Sequence, residues 1–264
     1  MLLRLDAVHE PEARIVGCRR CTLVRLHPLP TPAAAEAHYD DAYFRDPVHG
    51  YDDYARDDAV FRAIFRRRLE VVRRAGGHGR LLDVGCANGG LLLEASRLGF
   101  QASGIEPAPG MAAVAMQRTG CPVRVGTLRG ALLAPVSYDV VTAFDVLEHM
   151  PDIGEALRHL RRATLPEGLL AVTVPDFGGW WARGSGARWP LLAPWEHVVH
   201  FTRRSLTAAL RAAGFAHVRF HAAQTPLSLG TVAAKTPIPA SWVPRAWAGR
   251  GLGLPFGTLF AVAR

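Results

Sequence analysis

The residues best suited to do chemistry stand in Leu81-Leu-Asp-Val-Gly-Cys-Ala-Asn-Gly-Gly90, an apolar run that passes into a glycine-rich turn. Small residues there let a ligand lie against the backbone, and amides at the start of a following helix face its polar groups. Glu106 ends the next apolar run, about 20 positions after Gly85, where an acid accepts both hydroxyls of a ribose. Two ligand classes use this arrangement, since Gly85, Ala87 and Gly90 also imitate a G-x-A-x-x-G dinucleotide fingerprint. Asp83 separates them: a dinucleotide site has an apolar residue at this strand end, whereas an acid holds an ammonium group by charge-assisted hydrogen bonds.

The elements that must position these residues follow from periodicity. Phe61, Ile64, Phe65, Leu69 and Val72 recur at helical spacing and predict an amphipathic helix ending near Gly76-Gly77. From Arg80 short apolar runs alternate with helical segments, the pattern of βαβ units on a parallel sheet. The predicted strands are Leu81 to Val84, Gln101 to Ile105, Val123 to Val125, Tyr138 to Phe144 and Leu169 to Val174. A helix from Asp152 to Arg162 is expected to carry a capping box of Asp152 and Glu155. Another is capped by Thr202 and stopped by Gly214. His217 to Ala223 and Gly257 to Val262 complete the sheet, with a Pro/Gly-interrupted insertion of about thirty residues between them that is longer than compact domains usually carry.

Composition narrows the function class. The 264 residues are 49% hydrophobic and 20% charged, which fits one soluble globular domain with a small appendage and excludes collagen-like, disordered and disulfide-scaffold chains. No apolar run reaches the length that spans a bilayer, and Met1 to Pro11 carries acids where a signal peptide is apolar, so a cytoplasmic location is the default expectation. The net charge of +8 raises nucleic acid as a partner. Every basic residue but Lys235 is an arginine, however, scattered in groups such as Arg66 to Arg68 that read as solvated helix faces, which argues against that partner.

The chain resembles the class I S-adenosylmethionine-dependent methyltransferases. Asp83, Gly85 and Gly89 match the family's acid-x-Gly-x-Gly-x-Gly motif, with Ala87 in place of the middle glycine. The likeness continues through Gly104-Ile-Glu-Pro107, Tyr138-Asp-Val-Val, Phe144-Asp-Val-Leu-Glu-His149, Leu165-Pro-Glu-Gly168, Val174-Pro175, Glu196-His-Val-Val-His-Phe201 and Ala213-Gly-Phe215. It implies a Rossmann-like α/β fold: a seven-stranded, mostly parallel sheet with an antiparallel last strand, helices on both faces and a small N-terminal helical extension. It implies S-adenosylmethionine as cofactor, with Asp83, Gly85, Cys86, Ala87 and Gly89 at its methionine part. Glu106 and Pro107 then serve the ribose, Gly126 and Thr127 the adenine, and Phe144 completes the set. Many members have an acid at Thr127, whose hydroxyl leaves more of the adenine recognition to the backbone.

Methyl transfer needs an aligned acceptor and, for a hydroxyl, a base. His149 and His197 are the candidates, with Glu148 placed to orient or charge an imidazole and otherwise structural. Asp145-Val-Leu-Glu-His149 also resembles the Glu-x-x-Glu-His metal set of ubiquinone-pathway and small-RNA methyltransferases, but the shorter Asp145 disturbs it, and no metal is expected. Cys18-Arg-Arg-Cys-Thr-Leu-Val24 resembles the second half of a four-cysteine zinc ribbon found in a subgroup of the family. The first half is missing, and although His9 or His27 could add a ligand, a degenerate ribbon without metal is expected.

The resulting organisation is a ribbon-like segment 1–32, a helical cap 33–77 and a cofactor-binding core 78–264 with a lid 176–201 and an insertion 226–256. Trp180, Trp181, Trp189 and Trp195 make the lid aromatic, able to hold an acceptor or cover the domain. Trp242 and Trp247 extend it, pair two copies or touch a membrane surface, leaving monomer and homodimer both open. The function expected is O-methylation of a small-molecule hydroxyl, on a sugar or secondary metabolite. An RNA methyltransferase, a dinucleotide-dependent oxidoreductase and a non-catalytic cofactor-binding module are the rivals.

Overall fold

The structure is a computed structural model that describes residues 3–4, 14–37, 52–130, 137–186, 189, 191–192, 196–228, 251–254 and 257–264. The chain opens with three short strands, β1 (Leu3–Arg4), β2 (Arg14–Gly17) and β3 (Val24–His27), then helices α1 (Pro32–Ala37) and α2 (Asp52–Arg74). The core follows as β4 (Arg80–Val84), α3 (Gly90–Arg97), β5 (Gln101–Glu106), α4 (Pro109–Thr119), β6 (Val123–Val125) and β7 (Tyr138–Phe144). After a 3-10 turn at Leu147–His149 come α5 (Ile153–Ala163), β8 (Thr164–Pro175), α6 (Trp180–Ser185), β9 (Val199–His200), α7 (Arg203–Ala212), β10 (Val218–His221), β11 (Thr225–Ser228), β12 (Gly251–Leu254) and β13 (Thr258–Ala263).

Seven strands form one sheet in the order β10-β13-β8-β7-β4-β5-β6, and β13 alone runs antiparallel to its neighbours. This is the expected Rossmann-like arrangement. Its central strands are buried on both faces, and successive residues feed opposite cores. Leu82, Val141 and Leu170 face α5 and α7, while Leu81, Val140 and Ala171 face α2 and α3. Ala156, Leu157, Leu160 and Ala163 give α5 the buried stripe that holds it on the sheet. Among the described residues no helix is long and apolar enough to cross a membrane.

Two local expectations need correction. Asp152 caps α5 by accepting from the Glu155 amide at 2.8 Å, but the Glu155 carboxylate pairs with Arg129 at 3.1 Å, so only half of that capping box forms. The complete box lies at α7, between Thr202 and Ser205. The N-terminal extension, in addition, is not only helical: β1, β2, β3 and β9 form a second, four-stranded sheet. Pairing of Val24 with His200, and a 2.9 Å bond from Leu26 N to Val198 O, fasten this hairpin to the segment just after His197.

Part of the aromatic lid is core. Trp189 is buried with Ile15, Ala182 and Leu192, whereas Trp180 is exposed on α6. The insertion begins and ends in the antiparallel ladder of β11 and β12. Trp195, Trp242, Trp247, His9 and the middle of the insertion lie outside the described residues.

Candidate active site

The glycine-rich turn between β4 and α3 is shaped by left-handed backbone at Gly85 (φ 75°), Ala87 (φ 44°) and Gly89 (φ 77°). Ala87 tolerates this at a cost of about 1 kcal/mol, since its β-carbon crowds the carbonyl. Two hydrogen bonds, from Gly85 N and Cys86 N to Ile105 O at 2.9 and 3.1 Å, tie the turn to the end of β5. Glu106 tightens the same junction: its carboxylate accepts from Ala87 N at 2.8 Å and Ala108 N at 3.1 Å. The acid therefore braces the turn and faces the ligand space at once.

That space is an open cavity along the carboxyl ends of the strands, where open α/β sheets bind ligands. Gly85, Ala87, Glu106, Pro107, Gly126, Thr127, Phe144 and His149 all line it. A smaller cavity adjoins it through Gly85, Ala87, Phe144 and Asp145, and is lined by Asp83, Cys86 and Arg68. Together they make a track with a carboxyl and a guanidinium at one end and an apolar turn at Leu128 at the other. Gly89 lies outside both cavities. A β-carbon there would stand 2.8 Å from Thr119 Cγ2 and 3.1 Å from the Ala115 β-carbon, so this glycine serves close packing of α4 on the turn.

Asp83 is fully buried and accepts from Thr142 Oγ1 at 2.6 Å; burial pushes its carboxyl up to about 7. Arg68 is the cavity residue that the sequence hid. It was expected on a solvated face, yet it is 3% exposed, because the Phe144 ring lies 5.0 Å from its guanidinium and Gln224 O and Thr173 Oγ1 accept from it. Its nearest carboxylate, Asp145 Oδ2, is 3.6 Å away on a residue held at φ 56°.

The histidines gather at the far wall. His149 Nδ1 meets Glu196 O at 2.8 Å and His197 Nδ1 meets Leu191 O at 2.8 Å, which assigns the ring protons to Nδ1 and makes each Nε2 the basic nitrogen. Their rings meet edge to face at 4.9 Å, and Glu148, His149 and His197 each bring one ligand atom within 4.8 Å of the others. His149 lines the cavity and His197 backs it. Glu148 is buried, and both its carboxyl oxygens lack a hydrogen-bond partner among the described residues, so burial holds its pKa well above the usual carboxylate range. Asp145 does not join this group.

The family model described as "Methyltransferase domain" matches residues 54–219, which hold the cofactor track and the histidine cluster. The chain belongs to the class I S-adenosylmethionine-dependent methyltransferases. An "Ubiquinone biosynthesis O-methyltransferase" of Azorhizobium caulinodans is 32% identical over 156 residues, covering 52% of this chain and 58% of that protein. The chain thus spans little more than half the length of this curated relative. Among solved structures, a methyltransferase of Thermotoga maritima, titled a possible histamine N-methyltransferase, has a TM-score of 0.58 at 19% identity, covering 84% of this chain and 97% of that one. Phosphoethanolamine N-methyltransferase 2 of Haemonchus contortus, solved with S-adenosyl-L-methionine, has a TM-score of 0.52 at 18% identity, covering 75% and 51%.

For this methyltransferase the cofactor is S-adenosylmethionine, and the dinucleotide reading of Gly85, Ala87 and Gly90 falls away.

Proposed function

We propose that the enzyme moves the methyl group of S-adenosylmethionine to a hydroxyl of a small molecule, with His149 as general base. The carrying observation is that His149 lines the cofactor cavity with its Nδ1 held by the Glu196 carbonyl, which leaves Nε2 to take the proton. The acceptor oxygen attacks the methyl carbon in line, the carbon–sulfur bond breaks toward sulfur, and S-adenosylhomocysteine leaves as the proton passes to Nε2. Asp83 holds the cofactor's ammonium and Arg68 its carboxylate; Glu106 takes the ribose hydroxyls. Gly126 and Thr127 flank the adenine, although Thr127 Oγ1 already accepts from Gly130 N at 3.1 Å.

The name of the A. caulinodans relative supports oxygen as the methylated atom. Sugar, phenol and secondary-metabolite hydroxyls are the acceptors to screen, with RNA as the competing class. Formation of S-adenosylhomocysteine with a small-molecule hydroxyl, and its loss in His149→Ala, is the expected result. Turnover on RNA alone, or full activity of His149→Ala, overturns the reading.

The meeting of Glu148, His149 and His197 favours a second reading, in which they hold a divalent cation. The donor set fits, because Glu148 has two unpartnered oxygens and the cation would supply the opposite charge that its burial lacks. Such a cation lowers the pKa of a bound hydroxyl. Activity abolished by EDTA and restored by one divalent ion selects this reading; activity indifferent to EDTA selects the base.

A further inference from the structure

Glu155 stands at the third position of α5, where a glutamate ordinarily reaches back to the amide of the capping residue. Here its carboxylate turns the other way. Glu155 Oε2 meets Arg129 Nε at 3.1 Å, an ion pair that spans from α5 to the turn after β6. Both partners line the large cavity, at the end where Thr127 and Leu128 also line it. Leu128 and Ala156, each next to one partner of the pair in sequence, are buried, so this part of the wall is apolar with one carboxylate edge.

The other polar groups of the cavity are already engaged. Glu106 accepts from the Ala87 and Ala108 amides, and Asp152 Oδ1 accepts from Glu155 N at 2.8 Å. Thr127 Oγ1 is held by Gly130 N. Glu155 Oε1, in contrast, meets only the His159 ring among the described residues, at 3.9 Å, and keeps lone pairs for a ligand.

We propose that Glu155 accepts the exocyclic amine of the cofactor's adenine, with Arg129 as the positioning residue that holds the carboxylate toward it. This rests on the placement of the adenine at Gly126 and Thr127 in the proposed function. The amine is a neutral donor and brings no charge to balance a carboxylate that the bound ligand covers; the Arg129 guanidinium supplies that balance. The same edge sets specificity. A purine with a carbonyl at position 6 turns a lone pair toward the carboxylate, and two acceptors cannot bond.

The test compares S-adenosylhomocysteine with S-inosylhomocysteine, which carries a carbonyl in place of the amine, by calorimetric titration of the full chain. The native protein should prefer S-adenosylhomocysteine by at least about 10-fold, the size of one hydrogen bond to a charged group. Glu155→Gln, whose amide can also donate to a carbonyl, should lose most of that preference. Its binding of S-inosylhomocysteine should hold or strengthen, which shows that the variant folds. Arg129→Ala should weaken the preference, and Arg129→Lys, which keeps the charge, should restore part of it. No preference in the native protein, or the same preference in Glu155→Gln, overturns the proposal. Thr127→Asp then separates two failures. If it strengthens the preference where Glu155→Gln leaves it unchanged, the adenine lies at the turn and Glu155 misses it; if neither variant moves the preference, the adenine placement itself fails.

Discussion

Ala87 donates its backbone N–H to the carboxylate of Glu106 at 2.8 Å, joining the glycine-rich turn to the end of the neighbouring strand. One side chain thus braces the turn and, in the proposed function, takes the ribose hydroxyls. Glu106→Ala should lose both functions. Hydrogen bonds to a charged group contribute about 1.5–3 kcal/mol each, so S-adenosylhomocysteine affinity should fall at least about 10-fold and the fold should weaken by about 1–3 kcal/mol. Glu106→Gln, with one acceptor oxygen, should fall between. Calorimetric titration and thermal melting measure the two losses, and an Ala variant with unchanged affinity would remove Glu106 from the ribose site.

The proposed contact of Asp83 with the cofactor's ammonium predicts pH-dependent cofactor binding. Burial raises its carboxyl from 3.8 to about 7, so the folded protein holds a proton there that the unfolded chain has given up. The associated stability is full below pH 3.8 and fades as pH rises toward about 7. The cofactor's ammonium prefers the ionised form. Affinity for S-adenosylhomocysteine should therefore strengthen as pH rises through about 7, and in Asp83→Asn, which keeps an oxygen for Thr142, this rise should flatten. Parallel pH profiles for the two proteins would show that Asp83 does not meet the ammonium.

Gly104 lies on β5 behind the turn, and a β-carbon there would come within 2.5 Å of Cys86 Sγ and 3.2 Å of Leu92 Cδ1. Cys86 is 4% exposed and has little room to move. Gly104→Ala should cost about 1–3 kcal/mol by overpacking. Adding Cys86→Ala should return part of that loss in a double-mutant cycle, because removing the sulfur leaves the milder approaches of 3.0 Å to the Cys86 β-carbon and 3.2 Å to Leu92 Cδ1. Strictly additive penalties in denaturant melts would contradict the packing seen here.

The strand-turn-helix around Gly85 and the acid at Glu106 were legible in the sequence because each rests on local chemistry: an apolar run, small residues, then an acid at the next strand end. Arg68 was not. In the sequence it is one of three consecutive arginines on an amphipathic helix; its burial comes from Phe144 and Gln224, 76 and 156 positions away. The N-terminal sheet escaped for the same reason, since β3 finds its partner in β9 more than 170 residues later and neither is apolar enough to announce itself. Glu148 and His149 could be read from their motif, but the approach of His197 depends on the loop that β9 pins.

His149 and His197 should separate kinetically. A base acting in the transition state contributes about 100- to 10,000-fold, so His149→Ala should lower kcat by that order with little change in cofactor affinity. His197 touches the reaction through the His149 ring, 4.9 Å away, so His197→Ala should lose less and His197→Gln less still. The rise of rate with pH that a base imposes should vanish in His149→Ala and persist in His197→Ala. A His197 variant as inactive as the His149 variant, rescued by neither glutamine nor pH, would instead place both rings on a shared ligand such as a cation.

His200 sets the acid limit of stability. Its ring is buried beside Phe177, 5.5 Å away, and Trp189, 6.3 Å away, and neither ring nitrogen has a hydrogen-bond partner among the described residues. Burial lowers its pKa from 6.5 to about 3, so between those values the unfolded chain binds a proton that the folded one refuses. Its contribution is intact above pH 6.5 and is lost progressively as pH falls toward 3, opposite in sign to that of Asp83. His200→Phe removes the titrating group and two unsatisfied nitrogens while keeping an aromatic ring among aromatic neighbours. The variant should match or exceed the native protein in stability at pH 7.5 and gain on it steadily toward pH 5, at about 1.4 kcal/mol per pH unit at most. Melting both proteins across that range measures the difference directly, and a gap that does not widen on acidification would mean that His200 is protonated in the folded state.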